Sequence, residues 1–270
     1  MLRSSNPILS KQDAFTPAAP QYGQNQYNQS PYGYQQVPAP APTQPPEGLM
    51  TFDDVVTKTA ITMAVLVLTA AAAWFATPDF LAMPALILSG LVGFLVVLVV
   101  AFRRVINPAL VLVYAAIEGV FIGLISRYFE QVYEGIVAQA VLATFVAAGL
   151  TLAAYKFFNI RVTAKFQKIV ILSTLAFAGV MLVNFIISFA TGGAGLRGGI
   201  IGPVSPLAIG ISLIAVVLAV LNLVLDFDYI EKGVAMGAPA KESWRGAFGL
   251  TVTMVWLYIE ILRLLSYLRR

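Results

Sequence analysis

The stretch LAMPALILSGLVGFLVVLVVAF, residues 81–102, decides the fold class of this 270-residue chain. It contains no charged residue, and as an α-helix rising about 1.5 Å per residue it is long enough to cross about 30 Å of hydrocarbon. Comparable apolar blocks recur along the chain, and we expect membrane-spanning helices at 59–77, 81–102, 106–128, 135–155, 167–190, 206–230 and 245–267. The sequence therefore predicts an all-α membrane protein with seven transmembrane helices.

The composition excludes several functional classes. Hydrophobic residues make up 59% of the chain and charged residues 11%, against about 25% charged in soluble domains. There is no cysteine and no histidine, which removes thiol nucleophiles and the commonest general base, so we expect no enzyme activity and no tightly bound cofactor. The net charge of +4 is modest and favours anionic lipid headgroups over nucleic acid as a partner.

The first 50 residues differ in kind from the rest. The segment QYGQNQYNQSPYGYQQ, residues 21–36, is polar and rich in Gln and Tyr, so it cannot bury enough apolar surface to order itself. We expect a disordered tail over 1–50 and a transmembrane domain over 51–270. Thr51, followed by Phe52, Asp53 and Asp54, predicts a helix N-cap with carboxylates in the first turn.

The basic residues predict the orientation, because cytoplasmic connections carry an excess of Lys and Arg. The second, fourth and sixth connections contain Arg103, Arg104, Lys156, Arg161, Lys165, Lys232 and Lys241. The first, third and fifth contain only Arg127 and Arg197. We expect an integral plasma-membrane protein with a cytoplasmic N-terminus. Seven crossings then place Arg269 and Arg270 on the unfavoured outer side, unless one of the last two spans is re-entrant.

The candidate functional residues are carboxylates inside the predicted spans, Glu118, Asp226 and Glu260. A charged side chain at the bilayer centre costs about 2.5–3.5 kcal/mol even on insertion scales, so such groups face the bundle interior. Beside Glu118, Gly119 and Gly123 form a small-residue face that lets a neighbouring helix approach closely. Glu118 is then either a protonated hydrogen-bond donor between helices or an ion or proton site.

Asp226 is a second candidate, and Asn222 shares its helix face one turn earlier. Asp228, closer to the end of the span, is expected to form an ordinary ion pair with Lys232 at the i,i+4 spacing. Asp226 is therefore the better functional candidate of the two aspartates.

Depth in the membrane gives one test of which acids pair. From the cytoplasmic ends of their predicted spans, Glu118 lies about 12 residues deep, Glu260 about 15 and Asp226 about five, which favours Glu118 with Glu260. An intrahelical pair of Glu260 with Arg263 is the alternative. Two neighbouring carboxylates cannot both ionise cheaply, so a pair would titrate as a unit. Deprotonated, it would attract a hard cation such as Ca²⁺, which makes a pH-dependent gate without histidine.

Three segments, taken in order and spacing, carry a resemblance to a known family. They are Arg104-Val-Ile-Asn-Pro through Glu118-Gly-Val, Leu225-Asp-Phe-Asp-Tyr-Ile, and Leu257-Tyr-Ile-Glu-Ile-Leu-Arg-Leu-Leu. Over 51–270 the chain resembles the Bax inhibitor-1 family of seven-helix membrane proteins. Its opening Arg3-Ser-Ser-Asn-Pro looks like the actinobacterial branch.

The resemblance implies a bundle whose last helix is surrounded by the other six, and a pH-sensitive calcium leak that serves calcium homeostasis and cytoprotection. It places the family's paired, gating acids on Asp226 and Glu260, which makes these two the candidate Ca²⁺ ligands. Arg104, at the start of the first matching segment, is a secondary candidate. The second acid is Glu where the family has Asp, and the chain between the two acids is longer, around 236–245. That extra length could extend the last helix and bring Glu260 to the depth of Asp226.

Two other functions fit the same sequence. The protein could regulate a membrane-bound quality-control protease, with the tail as its docking arm. A proton-coupled transporter would also use intramembrane acids, although the sequence shows no inverted repeat. The partners expected for the leading hypothesis are the lipid bilayer, Ca²⁺ and protons.

Overall fold

The computed structural model describes residues 48–103, 105–191, 195–198 and 203–270. In these ranges the chain forms seven α-helices: α1 (Phe52–Ala76), α2 (Asp79–Phe102), α3 (Pro108–Val132), α4 (Ile136–Phe157), α5 (Ala164–Thr191), α6 (Pro206–Ala235) and α7 (Glu242–Leu268). Each is long and apolar enough to span a membrane. The predicted fold class is confirmed. We call the side of the bundle where α1 begins the tail-side face and the opposite side, where α1 ends, the far face. The tail predicted for residues 1–50 lies, up to residue 47, outside the described residues.

The helix starts follow from local capping chemistry. The Thr51 hydroxyl accepts a hydrogen bond from the Asp54 amide at 3.2 Å, which confirms the predicted cap of α1. Asn107 caps α3 and Ser205 caps α6 in the same way, each directly before a proline at the first helical position. Proline is suited to that position because its fixed φ matches the helix and its missing N–H would have no partner there.

α7 is the central helix, as the resemblance implied. Its backbone lies against α1, α3, α4 and α6, while α2 packs on α3 and α5 packs on α6. The two outer helices reach α7 through side chains. Val100 of α2 shares an apolar cluster with Phe248, and the ring of Phe177 in α5 lies 6.0 Å from that of Trp256. Leu257 and Leu262 of α7 are fully buried in the main core.

The α1–α3 interface depends on two glycines. A Cβ at Gly119 would lie 1.9 Å from the Thr69 hydroxyl oxygen, and one at Gly123 would lie 2.2 Å from the Ala70 carbonyl oxygen. Both distances are far shorter than a van der Waals contact, so only glycine allows the two backbones this close. The small-residue face predicted beside Glu118 is therefore confirmed.

A short backbone pairing fastens the chain before α1 to the α6–α7 connection. The Met50 amide donates to the Ala238 carbonyl at 2.7 Å, and the Ala240 amide donates to the Gly48 carbonyl at 2.7 Å. The Met50 side chain is buried in the same place. It lies against Gly233, where a Cβ would be 2.8 Å from the Met50 sulfur. Residues 48–50 thus pack with the helices.

We predict that Gly123→Ala destabilises the folded protein by about 1–3 kcal/mol or more, the range for overpacked cores. The obstacle is the backbone of Ala70, which cannot rotate away as a side chain could. Thermal unfolding in detergent would measure the loss. Gly149→Ala is the matched control, because a Cβ there meets nothing within 4 Å. Equal melting temperatures for the two variants would contradict the proposed close approach.

Candidate functional site

Asp226 lies in the interface between α6 and α7. Its Oδ2 accepts a hydrogen bond from the Thr253 hydroxyl at 2.6 Å. Its Oδ1 faces Gly249, one turn earlier on α7, where a Cβ would lie only 3.0 Å away. Within the described residues, no Lys or Arg forms an ion pair with Asp226. The residue that faces this carboxylate from the last helix is therefore a hydroxyl, where the resemblance led us to expect a second acid.

Glu260 has a different partner, Arg197 in the connection between α5 and α6. The Arg197 Nη1 donates to Glu260 Oε1 at 2.9 Å, with 9% of the arginine side chain and 4% of the glutamate side chain exposed. The predicted intrahelical pair with Arg263 is wrong. The Arg263 Nε is buried with no hydrogen-bond partner in the part of the chain that the structure describes. Glu260 is therefore neutralised from outside its own helix.

The structure does not bring Asp226 and Glu260 together, which corrects the pairing that the resemblance implied. Asp226 contacts α7 at Thr253, and Glu260 follows seven residues later, about 10 Å further along the helix axis. The extra chain around 236–245 does not remove this offset. It extends α6 to Ala235 and starts α7 at Glu242, leaving the two acids at different levels.

Glu118 occupies a third environment, between α3 and α2. It is 9% exposed, and a Cβ on Gly93 of α2 would lie 2.7 Å from its Oε2. Gly93 therefore makes room for the carboxyl group. The depth argument that favoured Glu118 with Glu260 is wrong, because Glu118 faces α2 while Glu260 faces the α5–α6 connection.

Two of the acids nevertheless lie at matching depths. Asp226 precedes the last residue of α6, Ala235, by nine residues, and Glu118 follows the first residue of α3, Pro108, by ten. At 1.5 Å per residue both lie about 14–15 Å from the tail-side face. The predicted depth of Asp226 was too shallow because α6 continues beyond residue 230. The backbones of α3 and α6 do not approach each other within the described ranges, so the two carboxyl groups are in separate places.

The secondary candidates have structural contacts. Asn222 donates to the Thr174 hydroxyl at 2.8 Å and so joins α6 to α5, apart from the contacts of Asp226. Asp228 pairs with Lys232 at 2.7 Å, which confirms the expected ion pair. Arg104 lies outside the described residues.

The short connection around Arg197 is held in place by several groups. The Tyr267 hydroxyl donates to the Arg197 carbonyl at 2.7 Å, and the Leu196 amide donates to the side-chain oxygen of Asn184 at 2.7 Å. The Arg197 guanidinium also lies 5.3 Å from the centre of the Phe177 ring. Contacts from α5 and α7 thus hold the guanidinium inside the far half of the bundle.

The pair is only partly satisfied. The Arg197 Nε and Nη2 and the Glu260 Oε2 are buried with no hydrogen-bond partner among the described residues. Partly satisfied buried charges are costly, so this arrangement adds less stability than a fully bonded pair would.

Sequence reasoning missed Arg197 and Thr253. Arg197 is the one basic residue of a Gly-rich connection on the side poor in basic residues, a signal that points to a specific contact. Thr253 follows Gly249 by one turn, and a small residue followed by a hydroxyl is a weak indication of a close, hydrogen-bonded helix contact.

The donor set does not form a tight metal site. In the described ranges, no three Asp or Glu side chains come together in a way that could hold a metal ion. Calcium takes six to eight oxygen ligands, of which Asp226 with Thr253 supplies a minority. A carboxylate such as Asp226 can attract a hydrated cation without binding it tightly.

Together, these features define a multi-pass α-helical membrane protein with separate intramembrane carboxylates on α3, α6 and the central helix α7. Comparison with known families agrees with this class. The family model described as Bax inhibitor 1 like matches residues 6–270, nearly the whole chain. The chain belongs to this family. No curated protein matched the sequence.

We predict that Arg197→Met and Glu260→Met each destabilise the protein by about 3–5 kcal/mol, because each leaves one uncompensated buried charge. The double variant should recover most of that loss, since neither charge remains. Thermal unfolding of the four proteins forms a double-mutant cycle.

The pair of Asp228 and Lys232 is the matched control, because 54% of the Lys232 side chain is exposed. The Asp228→Asn variant should lose about 1 kcal/mol or less, since Lys232 stays solvated without its partner. Additive losses in the Arg197 and Glu260 cycle would show that the two side chains do not interact.

Proposed function

We propose that the protein is a pH-sensitive cation leak pathway, with calcium as the transported ion. The observation that carries this proposal is that Asp226 and Glu118 lie inside membrane-spanning helices and form no ion pair with a cationic side chain among the described residues. An ionisable residue in that position is a functional candidate by default, since keeping it there is expensive.

The chemistry of these two groups supports both cation preference and pH sensitivity. An ionised carboxylate in a low-dielectric surrounding attracts a cation much more strongly than it would in water. Protonation makes the group neutral and removes that attraction. In acid, Asp226 keeps only its hydrogen bond with Thr253, which makes a neutral contact between α6 and α7. We therefore expect the leak to be larger at neutral pH than in acid.

The pair of Arg197 and Glu260 gives the pathway its closed state. The Arg197 guanidinium neutralises Glu260 in the far half of the bundle, so this carboxylate does not attract a cation that enters from the far face. Separating the pair frees Glu260 and is the step that opens the far half. The two ends are then controlled differently, by protonation towards the tail side and by a tethered arginine at the far side.

The charge distribution supports a cytoplasmic tail-side face in the plasma membrane. Arginines at the far face make specific contacts. Arg127 donates to the Thr77 carbonyl at 2.7 Å, and Arg269 donates to the Glu134 carbonyl at 2.7 Å. These contacts explain why the two arginines lie at the far face. The other Lys and Arg residues are more numerous on the tail side, as expected for the cytoplasm.

Calcium flux into liposomes that contain the purified full-length protein tests the proposal at neutral and at acidic pH. In the wild type we expect flux to fall several-fold on acidification. Asp226→Asn mimics the protonated side chain, so it should give low flux at both pH values. Glu118→Gln should act in the same direction.

Asp228→Asn is the matched control, two residues along the same helix and already paired with the solvated Lys232, and should keep the wild-type pH response. The proposal fails if Asp226→Asn and Glu118→Gln both carry as much calcium as this control at both pH values. It also fails if empty liposomes leak as fast as those with protein.

A further inference from the structure

A long apolar groove opens between α1 and α4. Its volume is about 330 Å³, within the range of small-ligand pockets. The floor is formed by α3 and α7, and the main lining residues are Leu66, Ala70, Trp74, Val141, Thr144 and Tyr258. The groove exists because α1 and α4 both pack on their neighbours and not on each other in the described part of the chain.

The lining is almost entirely apolar and offers an occupant few hydrogen-bonding groups. The hydroxyls of Ser126 and Tyr258 bond each other at 2.6 Å, and the Thr144 hydroxyl donates to the Ala140 carbonyl at 2.7 Å. Because these hydroxyls already bond groups of the protein, a sugar, a peptide or a cluster of water would lose most of its own hydrogen bonds on entering. The groove therefore suits hydrocarbon.

Its shape and position indicate which hydrocarbon. Along α1 the lining runs from Met63 to Phe75, about 18 Å at 1.5 Å per residue, so the groove is long in the direction of the membrane normal. Trp74, two residues from the end of α1, marks its mouth at the far face, where tryptophan commonly lies among lipid headgroups. Val67 and Phe145 at its edges continue into the exposed apolar surfaces of α1 and α4, which face the bilayer.

We propose that this groove binds one acyl chain of a bilayer lipid, which enters sideways between α1 and α4 with its headgroup at the far face. The acyl chain fills the space between α1 and α4, which do not pack on each other. It lies against Tyr258, two residues before Glu260 on the central helix. This binding site is independent of the cation pathway and stands whether or not the protein conducts ions.

Trp74 provides a direct reporter, because bromine atoms on a lipid chain quench tryptophan fluorescence on contact. In the full-length Trp244→Phe/Trp256→Phe variant, Trp74 is the sole tryptophan. Phosphatidylcholine with brominated acyl chains, titrated into this protein in detergent, should quench Trp74 to a saturable limit. Trp256 alone, in Trp74→Phe/Trp244→Phe, packs on Phe177 and should require several-fold more lipid for the same quenching.

Blocking variants separate a bound chain from general contact with lipid. Val141→Phe adds bulk inside the groove, whereas Leu142→Phe adds similar bulk on the lipid-facing surface of the same helix. Saturable quenching should weaken several-fold in the first variant and persist in the second. Ala71→Phe fills the groove from α1 and replaces Val141→Phe if that variant does not fold.

The melting temperature gives a second readout, because a ligand that binds only the folded state stabilises it. Unbrominated phosphatidylcholine should raise it for wild type and Leu142→Phe more than for the blocked variant. Three results would each overturn the proposal: quenching of Trp74 that never saturates, equal quenching of Trp74 and Trp256, or identical behaviour of Val141→Phe and Leu142→Phe. A groove occupied by a second copy or by a foreign helix would exclude the lipid and give one of these results.

Discussion

The central position of α7 sets the main constraint on this structure, since a helix surrounded by other helices must have its polar side chains satisfied by those neighbours. Three polar side chains along α7 each meet a partner from a different element. Thr253 bonds Asp226 of α6, Tyr258 bonds Ser126 of α3, and Glu260 bonds Arg197 of the α5–α6 connection. The register of α7 is therefore fixed by hydrogen bonds as well as by apolar packing.

These three contacts differ in the charge that they place inside the membrane. The Ser126–Tyr258 bond joins two neutral groups and needs no counter-charge. The Arg197–Glu260 pair contains both charges, so it costs desolvation but leaves no net charge in the membrane. Asp226 differs from both, because its partner is a neutral hydroxyl, so the charge at this contact is set by whether the carboxyl group is protonated. The same holds for Glu118 on α3, which has no cationic partner among the described residues.

The sequence predicted the fold almost completely because the signals that define a membrane helix are local. Long uncharged runs such as 81–102 define the spans, and the caps at Thr51 and Asn107 act over a few residues. The Gly119 and Gly123 face was also visible, because close helix approach depends on residue size at a fixed spacing. The extension of α6 beyond residue 230 was missed, since charged residues such as Asp228 mark the membrane surface and do not end a helix.

The site was harder to predict because it depends on contacts between distant parts of the chain. Depth along separate helices does not determine which helix faces meet. The depth argument therefore paired Glu118 with Glu260, although the two residues face different elements. Arg197 is 63 positions before its partner, in a Gly-rich connection that the sequence analysis used only to predict orientation. The resemblance placed the partner acid of Asp226 on Glu260, but the α7 residue that bonds Asp226 is Thr253.

The backbone pairing of Gly48–Met50 with the α6–α7 connection has a mechanical consequence. Force applied to the chain ahead of Gly48 is transmitted to the hairpin of α6 and α7 before it reaches α1, because the hydrogen bonds to Ala238 and Ala240 stand in between. That hairpin carries Asp226 on one arm and Thr253 on the other. A pull on the N-terminal segment is thus a shear on the hydrogen bond between Thr253 and the Asp226 carboxyl group.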